Sequence, residues 1–524
     1  MRITTKITTV FVVGFLYVAM AAPAPACTSI MVGKKASTDG SVMTSHTCDS
    51  HNDGSRIYVV PAAKHAPGSL RALTRRKEDD TGPMPRLVRV ATGKIAEVPE
   101  TFGYLDAVYG IMNRRQVAIG ESTFEGREEL KSDKGLIDCD TLTKIMLERA
   151  STAREAIRIG GALIDKHGWC DWGEALTIID PGEVWVMEIL GSGKDEVGVV
   201  WAAQRVPDDH VSVVANGARI GRIDLAKPDW FMASKNVVQL AKDRGYWNPN
   251  GGEPFRFNWA YDPENRTGAA TTRREWRVLD MLAPSLKLSP GRNDYPFSVK
   301  PDKPVGPKRI MEIFRDTFEG TDFDMVKNLT VTDEEGKTVK SPLANPFMPY
   351  DMNKLLKING GWGWRGERLL ARWYTMYATV IQVRGHLPND VGGIVWLGYS
   401  NTAMTTYVPL YAGITDLPAD FKTDGRTTGF SRRSAWWAFN RAATLAAHRW
   451  GDMRKDVAAV RDPLQEKYLA AQEEVAKKAV ELLKEEPAKA RAYLTQRSRE
   501  ACREATDAYW NLGDLLWTKY DEQW

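Results

Sequence analysis

Cys27 stands directly after Ala24-Pro25-Ala26, a small-residue pattern of the kind at which exported precursors are cut. Cutting there makes Cys27 the amino terminus of the mature chain, with a thiol and a free α-amino group on one residue. That amine, with an ordinary pKa of about 7.7 to 8.0, is partly unprotonated near neutrality, whereas a lysine amine near 10.4 is almost wholly charged. One residue can therefore carry both nucleophile and base. Two plainer roles compete: an acylated lipoprotein cysteine, although Ala24 stands where such sites usually have Leu, or one half of a disulfide. Downstream, His46-Thr47-Cys48-Asp49 gathers further reactive types. Asp49 can hold the amine's lone pair on the thiol and His46 can favour the thiolate, while the plainer role for Asp49 is to cap a turn. Metal ligation is the rival chemistry, since His46, Cys48 and His51 are ligand types and His-x-Cys puts two of them on one side of a strand. Their spacing matches neither His-Glu-x-x-His nor paired Cys-x-x-Cys. Asp53 and Arg56 could contact substrate termini or form a loop ion pair. The other cysteines, Cys48, Cys139, Cys170 and Cys502, are too few for a disulfide scaffold, and their pairing is not readable from sequence.

The elements that must position these residues begin at Cys27 itself. CTSIMVGKKASTDGSVMTSHTCD reads as two alternating strands around Ser37-Thr38-Asp39-Gly40, a hairpin that returns His46 to Asp49 to the nucleophile. Short runs rich in Val, Ile or Leu predict strands at 116–119, 176–179, 184–189, 211–215, 374–383, 393–397 and 405–409. Periodic apolar residues predict a helix over 141–166, capped by Asp140. Residues 247–355, rich in Pro, Gly, Asn and Asp, read as long loops. Beyond Phe430 the chain turns helical, with Asp462-Pro463 as a cap and first-turn proline, Pro487 ending or kinking that helix, and a second helix over 488–520. The hairpin of helices is expected to pack on the core. Strands grouped with helices imply an α+β layered fold, divided as a signal peptide 1–26, a catalytic domain 27–429 and a helical region 430–524.

Composition narrows the function classes. The 524 residues are 43% hydrophobic and 26% charged, which excludes whole-chain disorder. Seventy-one Lys and Arg against 67 Asp and Glu leave a formal charge of +4, too balanced for a phosphate-neutralising face, so no nucleic-acid partner is expected. Arg2 and Lys6 precede an apolar run over 7–22, a signal-peptide layout too short for a bilayer span of about 20 residues. The mature protein is therefore expected in the periplasm or outside the cell, without a membrane partner after processing.

The run CTSIMVGKKASTDGSVMTSHTCDSHNDGSR resembles the start of the C69 dipeptidases, cysteine members of the amino-terminal-nucleophile hydrolases related to choloylglycine hydrolases. The likeness continues through GIMNRRQVAIGEST, LERASTAREAI, DPGEVWVMEILG, AAQRVPDDHVSVVANGARIG, RREWRVLDMLAPS, TTYVPLYAGIT and RRSAWWAFN, and so spans about the whole mature chain. The resemblance implies a four-layer αββα sandwich with Cys27 as nucleophile and Asp49 as the carboxylate beside its amine. His46 stands where bile-salt relatives have Arg. Asn216 matches an asparagine that orients the nucleophile or lines the oxyanion hole, and a left-handed turn before Gly217 would need the same residue type. Arg274 matches a buried arginine, with Arg273 and Arg277 as neighbours and a surface ion pair as its plainer role. A second oxyanion donor falls near Glu121, which leaves Ser122 or Thr123. Trp172, Trp185 and Trp201 read as core.

The expected function is an exported cysteine dipeptidase that hydrolyses short peptides through a thioester and needs no cofactor. Three rivals stand beside it: an amidase of the same mechanism for N-acyl amino acids or bile-salt-like amides, a metal-dependent hydrolase on His46, Cys48 and His51, and a binding protein without catalysis. Side-chain preference and self-association are not legible in the sequence.

Overall fold

The computed structural model describes residues 27–82, 84–347 and 367–522. The expected leader at 1–26, with its Ala-x-Ala pattern, lies outside the described residues, as do 348–355 of the loop-rich section.

The hairpin around Asp39-Gly40 forms as its pattern predicts. Gly40 takes a φ of +76°, and Asp39 Oδ1 accepts from the Ser41 amide and hydroxyl at 3.1 and 2.6 Å, closing the turn. Ser29–Val32 and Val42–Asp49 then become the two inner strands of an antiparallel sheet of seven. Outward from Ser29–Val32 lie Val211–Val214 and Ser298–Val299. On the other side Val42–Asp49 pairs with Thr375–Val383, followed by Ile394–Tyr399 and Val408–Tyr411. A second sheet of eight strands centres on Ala118–Phe124, Gly173–Ile179 and Val184–Leu190.

Val42–Asp49, Ala118–Phe124, Gly173–Ile179 and Thr375–Val383 are buried at every position, so both faces of each are covered. The two sheets face one another through Val42–Asp49 against Ala118–Phe124 and Gly173–Ile179. A Thr44–Thr177 hydroxyl contact of 2.6 Å bridges them. Gly120 permits the approach, because a Cβ there would lie 2.4 Å from the Ser45 carbonyl oxygen. Helices Cys139–Arg149 and Ala153–His167 pack on the eight-stranded sheet, and Ala269–Leu282, Pro307–Phe314 and Ala435–His448 pack on the seven-stranded one. The chain is thus a mixed α+β fold.

Several expectations need correction. The helix over 141–166 is two helices, because Thr152 and Glu155 cap a new start: Thr152 accepts from the Glu155 amide at 3.2 Å and Glu155 accepts from the Ser151 amide at 2.7 Å. The first is capped by Asp138, whereas Asp140 lies inside it and pairs with Lys144 at 2.7 Å. Pro463 does not begin a helix but sits within Trp450–Ala470, where buried Trp450, Met453, Val457, Gln465 and Tyr468 hold one stripe against the core and override the local preference. Pro487 does end its helix: Glu486 is extended and Pro487 is the first residue of Pro487–Lys519. The loop-rich section carries the helices Phe257–Tyr261, Ala269–Leu282 and Pro307–Phe314. Trp185 and Trp201 are core residues, but Trp172 is half-buried under the Lys131 ammonium. All five cysteines are free thiols, and among the described residues no helix is long and apolar enough to cross a membrane.

Candidate active site

Cys27 is buried immediately ahead of the strand Ser29–Val32. Its carbonyl oxygen accepts from Arg274 Nη1 at 3.0 Å and from Ser122 Oγ at 3.1 Å. Thr28 is tied to the neighbouring strand in both directions, through its amide to Thr47 Oγ1 at 2.9 Å and through its carbonyl to the Thr47 amide at 3.1 Å. Burial pushes the Cys27 thiol well up, the charges of Glu121, Cys48 and Asp49 add to this, and the Asp49 backbone N–H, bonded to the sulfur, opposes it. A thiol so placed needs an adjacent proton acceptor before it can attack.

Arg274 projects from Ala269–Leu282 and uses every nitrogen. Nη1 also reaches Thr28 Oγ1 at 2.9 Å, Nη2 binds Asn216 Oδ1 at 2.7 Å and the Ala215 carbonyl at 3.1 Å, and Nε binds the Ala270 carbonyl at 2.8 Å. Burial lowers its pKa, to about 9, so it stays cationic at neutral pH. Its neighbours are occupied elsewhere: Arg273 pairs with Glu367 at 3.0 Å and Arg277 with Asp316 at 2.7 Å.

Asn216 follows the strand Val211–Val214 with a φ of +58°. The left-handed turn and the link to Cys27, through Ser122 and Arg274, coincide in this residue. Its amide donates to Ser122 Oγ at 3.0 Å, its carbonyl accepts from Thr271 Oγ1 at 3.0 Å, and its Nδ2 donates one hydrogen to the Thr123 carbonyl, leaving the second available. The Ser122 hydroxyl is engaged by Cys27 and Asn216. Thr123 Oγ1 lies between Glu121 Oε1 at 2.8 Å and Glu174 Oε1 at 3.0 Å. Both hydroxyls thus serve contacts within the protein.

Asp49 Oδ1 accepts from Thr375 Oγ1 at 2.6 Å, and Oδ2 lies 3.6 Å from Arg368 Nη2. Burial raises its pKa, while Arg368, the Thr375 hydroxyl and Arg274 act against the rise. His46 lies across the sheet interface with Nδ1 2.8 Å from the Glu121 carbonyl oxygen, and its ring meets Tyr109 edge-on. Cys27 Sγ, a His46 ring nitrogen and a Glu121 carboxylate oxygen lie within 4.8 Å of one another.

The rival metal group of His46, Cys48 and His51 does not assemble. His46 and Cys48 share one side of Val42–Asp49, but His51 falls beyond the strand end, where it packs on Tyr374 and meets Arg426 Nη1 at 2.9 Å. Burial, reinforced by Arg426, lowers its pKa to about 4. Asp53 and Arg56 take the ion-pair role, with Arg76 at 3.2 Å and Asp424 at 2.8 Å.

Three features escaped the sequence. Glu121 and Glu174 are fully buried acids on adjacent strands, and burial together with the Glu121 charge pushes the Glu174 carboxyl well above the usual carboxylate range. Charged residues inside apolar strand runs were the available signal. The third is a cavity of about 430 Å³ lined by Trp373, Tyr374, Met376, Phe430, Trp436 and Trp437, beside the residue that holds Asp49.

The chain is similar over most of its length to proteins named as dipeptidases. The chain is 25% identical to a probable dipeptidase of Latilactobacillus sakei over 82% of its own length and 83% of the relative's. It is 27% identical to a probable dipeptidase of Salmonella dublin, over 79% and 88% of the two chains. Dipeptidase A of Lactobacillus helveticus is 21% identical over 80% and 81%. The model of peptidase family C69 matches residues 26–462, a span that opens one residue ahead of Cys27 and takes in both sheets, and the chain belongs to that family.

Proposed function

We propose that the mature chain is an exported cysteine dipeptidase of the amino-terminal-nucleophile type, with Cys27 attacking the peptide carbonyl and its own α-amine as base. One observation carries this: Cys27 is clamped by its carbonyl end, through Arg274 and Ser122, leaving thiol and amine as its reactive groups. The names of the relatives support dipeptides as the substrate class. Stacked sheets with helices on each support the four-layer αββα sandwich for residues 27–429, with 430–524 as a helical region packed on it.

The α-amine takes the thiol proton, sulfur attacks the carbonyl carbon, and the peptide nitrogen leaves after receiving that proton. The free Asn216 Nδ2 hydrogen stabilises the oxyanion, a donor worth about 2.7 to 4 kcal/mol in comparable sites. Water then attacks the thioester by the reverse proton path. Asp49 and Arg274 are positioning residues for the amine and the main chain, and His46 approaches the thiol from the neighbouring strand of the same sheet. Export to the periplasm or the medium belongs to the same proposal, since leader removal creates the amine. No cofactor is needed.

The test is intact mass and amino-terminal sequencing of the exported form, together with turnover of dipeptides by the Cys27→Ala variant. A chain beginning at Cys27 whose variant is inert supports the proposal; an active variant refutes it. The close approach of Cys27, His46 and Glu121 favours one second reading, a metal hydrolase on those three ligands, which requires stoichiometric metal in the purified enzyme.

A further inference from the structure

Glu121 Oε2 is completely buried and receives no hydrogen bond from an amide, hydroxyl, ammonium or guanidinium group among the described residues; the carboxyl it shares a hydrogen bond with is that of Glu174. Its nearest cationic candidate is His46 Nδ1 at 3.6 Å, and that nitrogen is already committed to the Glu121 carbonyl at 2.8 Å. Nδ1 also lies 3.3 Å from the Glu121 amide, but the shorter approach to the carbonyl oxygen requires a hydrogen on Nδ1, and in that tautomer Nε2 is the acceptor. His46 Nε2 is buried and without a hydrogen-bond partner as well. These two acceptors belong to one buried cluster with Cys27, in which Sγ, a His46 ring nitrogen and a Glu121 carboxylate oxygen lie within 4.8 Å of one another. The Glu174 carboxyl, hydrogen-bonded to that of Glu121, can share a proton with it but brings no positive charge. Buried acceptors are rarely left unmet unless a ligand meets them.

The missing partner is a compact cation carrying several hydrogens. In a peptide with an unblocked amino end, the α-nitrogen lies about 2.5 Å from the carbonyl carbon of the same residue, by ordinary bond lengths and angles. A nucleophile poised for attack stands about 3 to 3.5 Å from that carbon. The substrate ammonium therefore falls within about 6 Å of Cys27 Sγ, which is the neighbourhood of the two acceptors. We propose that Glu121 Oε2, assisted by His46 Nε2, binds the free α-ammonium group of the residue whose carbonyl is attacked, so that the site selects peptides with an unblocked amino end at the scissile residue. This rests on Cys27 being the nucleophile, and it explains why one residue, not a longer stretch, would be released from the amino side.

The experiment compares the mature enzyme with Glu121→Gln and Glu121→Asp on an unblocked dipeptide and its N-formyl derivative, with thermal unfolding and thiol titration of Cys27 confirming that each variant is folded. The wild type should prefer the unblocked dipeptide. Glu121→Gln should reduce the preference for the unblocked dipeptide over its formyl derivative, read as the ratio of the two kcat/KM values, on the order of 100-fold, as expected for a buried charge partner. Glu121→Asp, which keeps the charge, should fall between. A preference that survives Glu121→Gln overturns the assignment, as does an equal loss on both substrates, which would place Glu121 with the enzyme's own amine or its folding. A wild type that does not discriminate between the substrates refutes the dipeptidase proposal itself, whatever the variant does.

Discussion

Arg274 hydrogen-bonds the carbonyl oxygen of Cys27 at 3.0 Å across a sequence separation of 247 residues, and with its other nitrogen holds Asn216 Oδ1 at 2.7 Å. One guanidinium therefore sets the relation between the candidate nucleophile and the candidate oxyanion donor. Arg274→Met removes donors from four buried acceptors, each unmet acceptor costing about 1 to 3 kcal/mol. The expected result is a clear fall in melting temperature together with loss of turnover. Arg274→Lys should recover stability better than activity, because an ammonium cannot span Cys27 and Asn216 as a planar fork does. Parallel melting curves and kcat measurements check this, and a lysine variant with full kcat would contradict it.

Asn216 combines a φ of +58° with the free amide hydrogen, and two substitutions separate those roles. Asn216→Gly tolerates the backbone and lacks the donor, whereas Asn216→Ala lacks the donor and strains the backbone by about 1 kcal/mol. Both should lower kcat about 100- to 1,000-fold with little change in KM, and only the alanine variant should also lose stability. Retained kcat in the glycine variant would remove Asn216 from the oxyanion hole.

Glu174 gives a pH prediction with a definite sign. Its folded pKa is raised well above the ordinary value by burial and by Glu121, so its contribution to stability is full below the unfolded pKa of about 4.3 and declines as pH rises above it. Glu174→Gln keeps the shape of the protonated acid and removes the titration. The variant should gain melting temperature relative to wild type as pH is raised from 4 to 9, and a pH-independent difference would contradict the assignment of a buried, protonated Glu174.

Metal dependence is tested by exhaustive dialysis against a chelator. Turnover of dipeptides should be unchanged, because the proposed chemistry uses only the thiol, the amine and Asn216. Loss of activity restored by a divalent cation would favour ligation by Cys27, His46 and Glu121 instead.

How much of this was legible depended on whether a signal was local. The hairpin from Cys27 to Asp49 was readable because alternation and Asp-Gly are properties of neighbouring residues, and Pro487 was readable for the same reason. The Thr152–Glu155 cap was equally local and was passed over in favour of a longer apolar period. Pro463 was misread because packing by Trp450, Met453, Val457 and Tyr468 outweighs the proline's preference for a first turn. Asn216 and Arg274 came from resemblance, not from any pattern a single sequence carries. Glu121 and Glu174 show in the sequence only as acids inside apolar strand runs, a pattern that ordinarily marks the solvent face, and only the second sheet, closing over Gly120, buries them.

The most direct test of the central claim is turnover of an unblocked dipeptide by two chains verified by intact mass, one beginning at Cys27 and one retaining a single alanine ahead of it. If the free α-amine is the base, the extra residue should cost about 100- to 10,000-fold in kcat, the usual contribution of general acid–base catalysis. Equal turnover by the two chains would contradict the account.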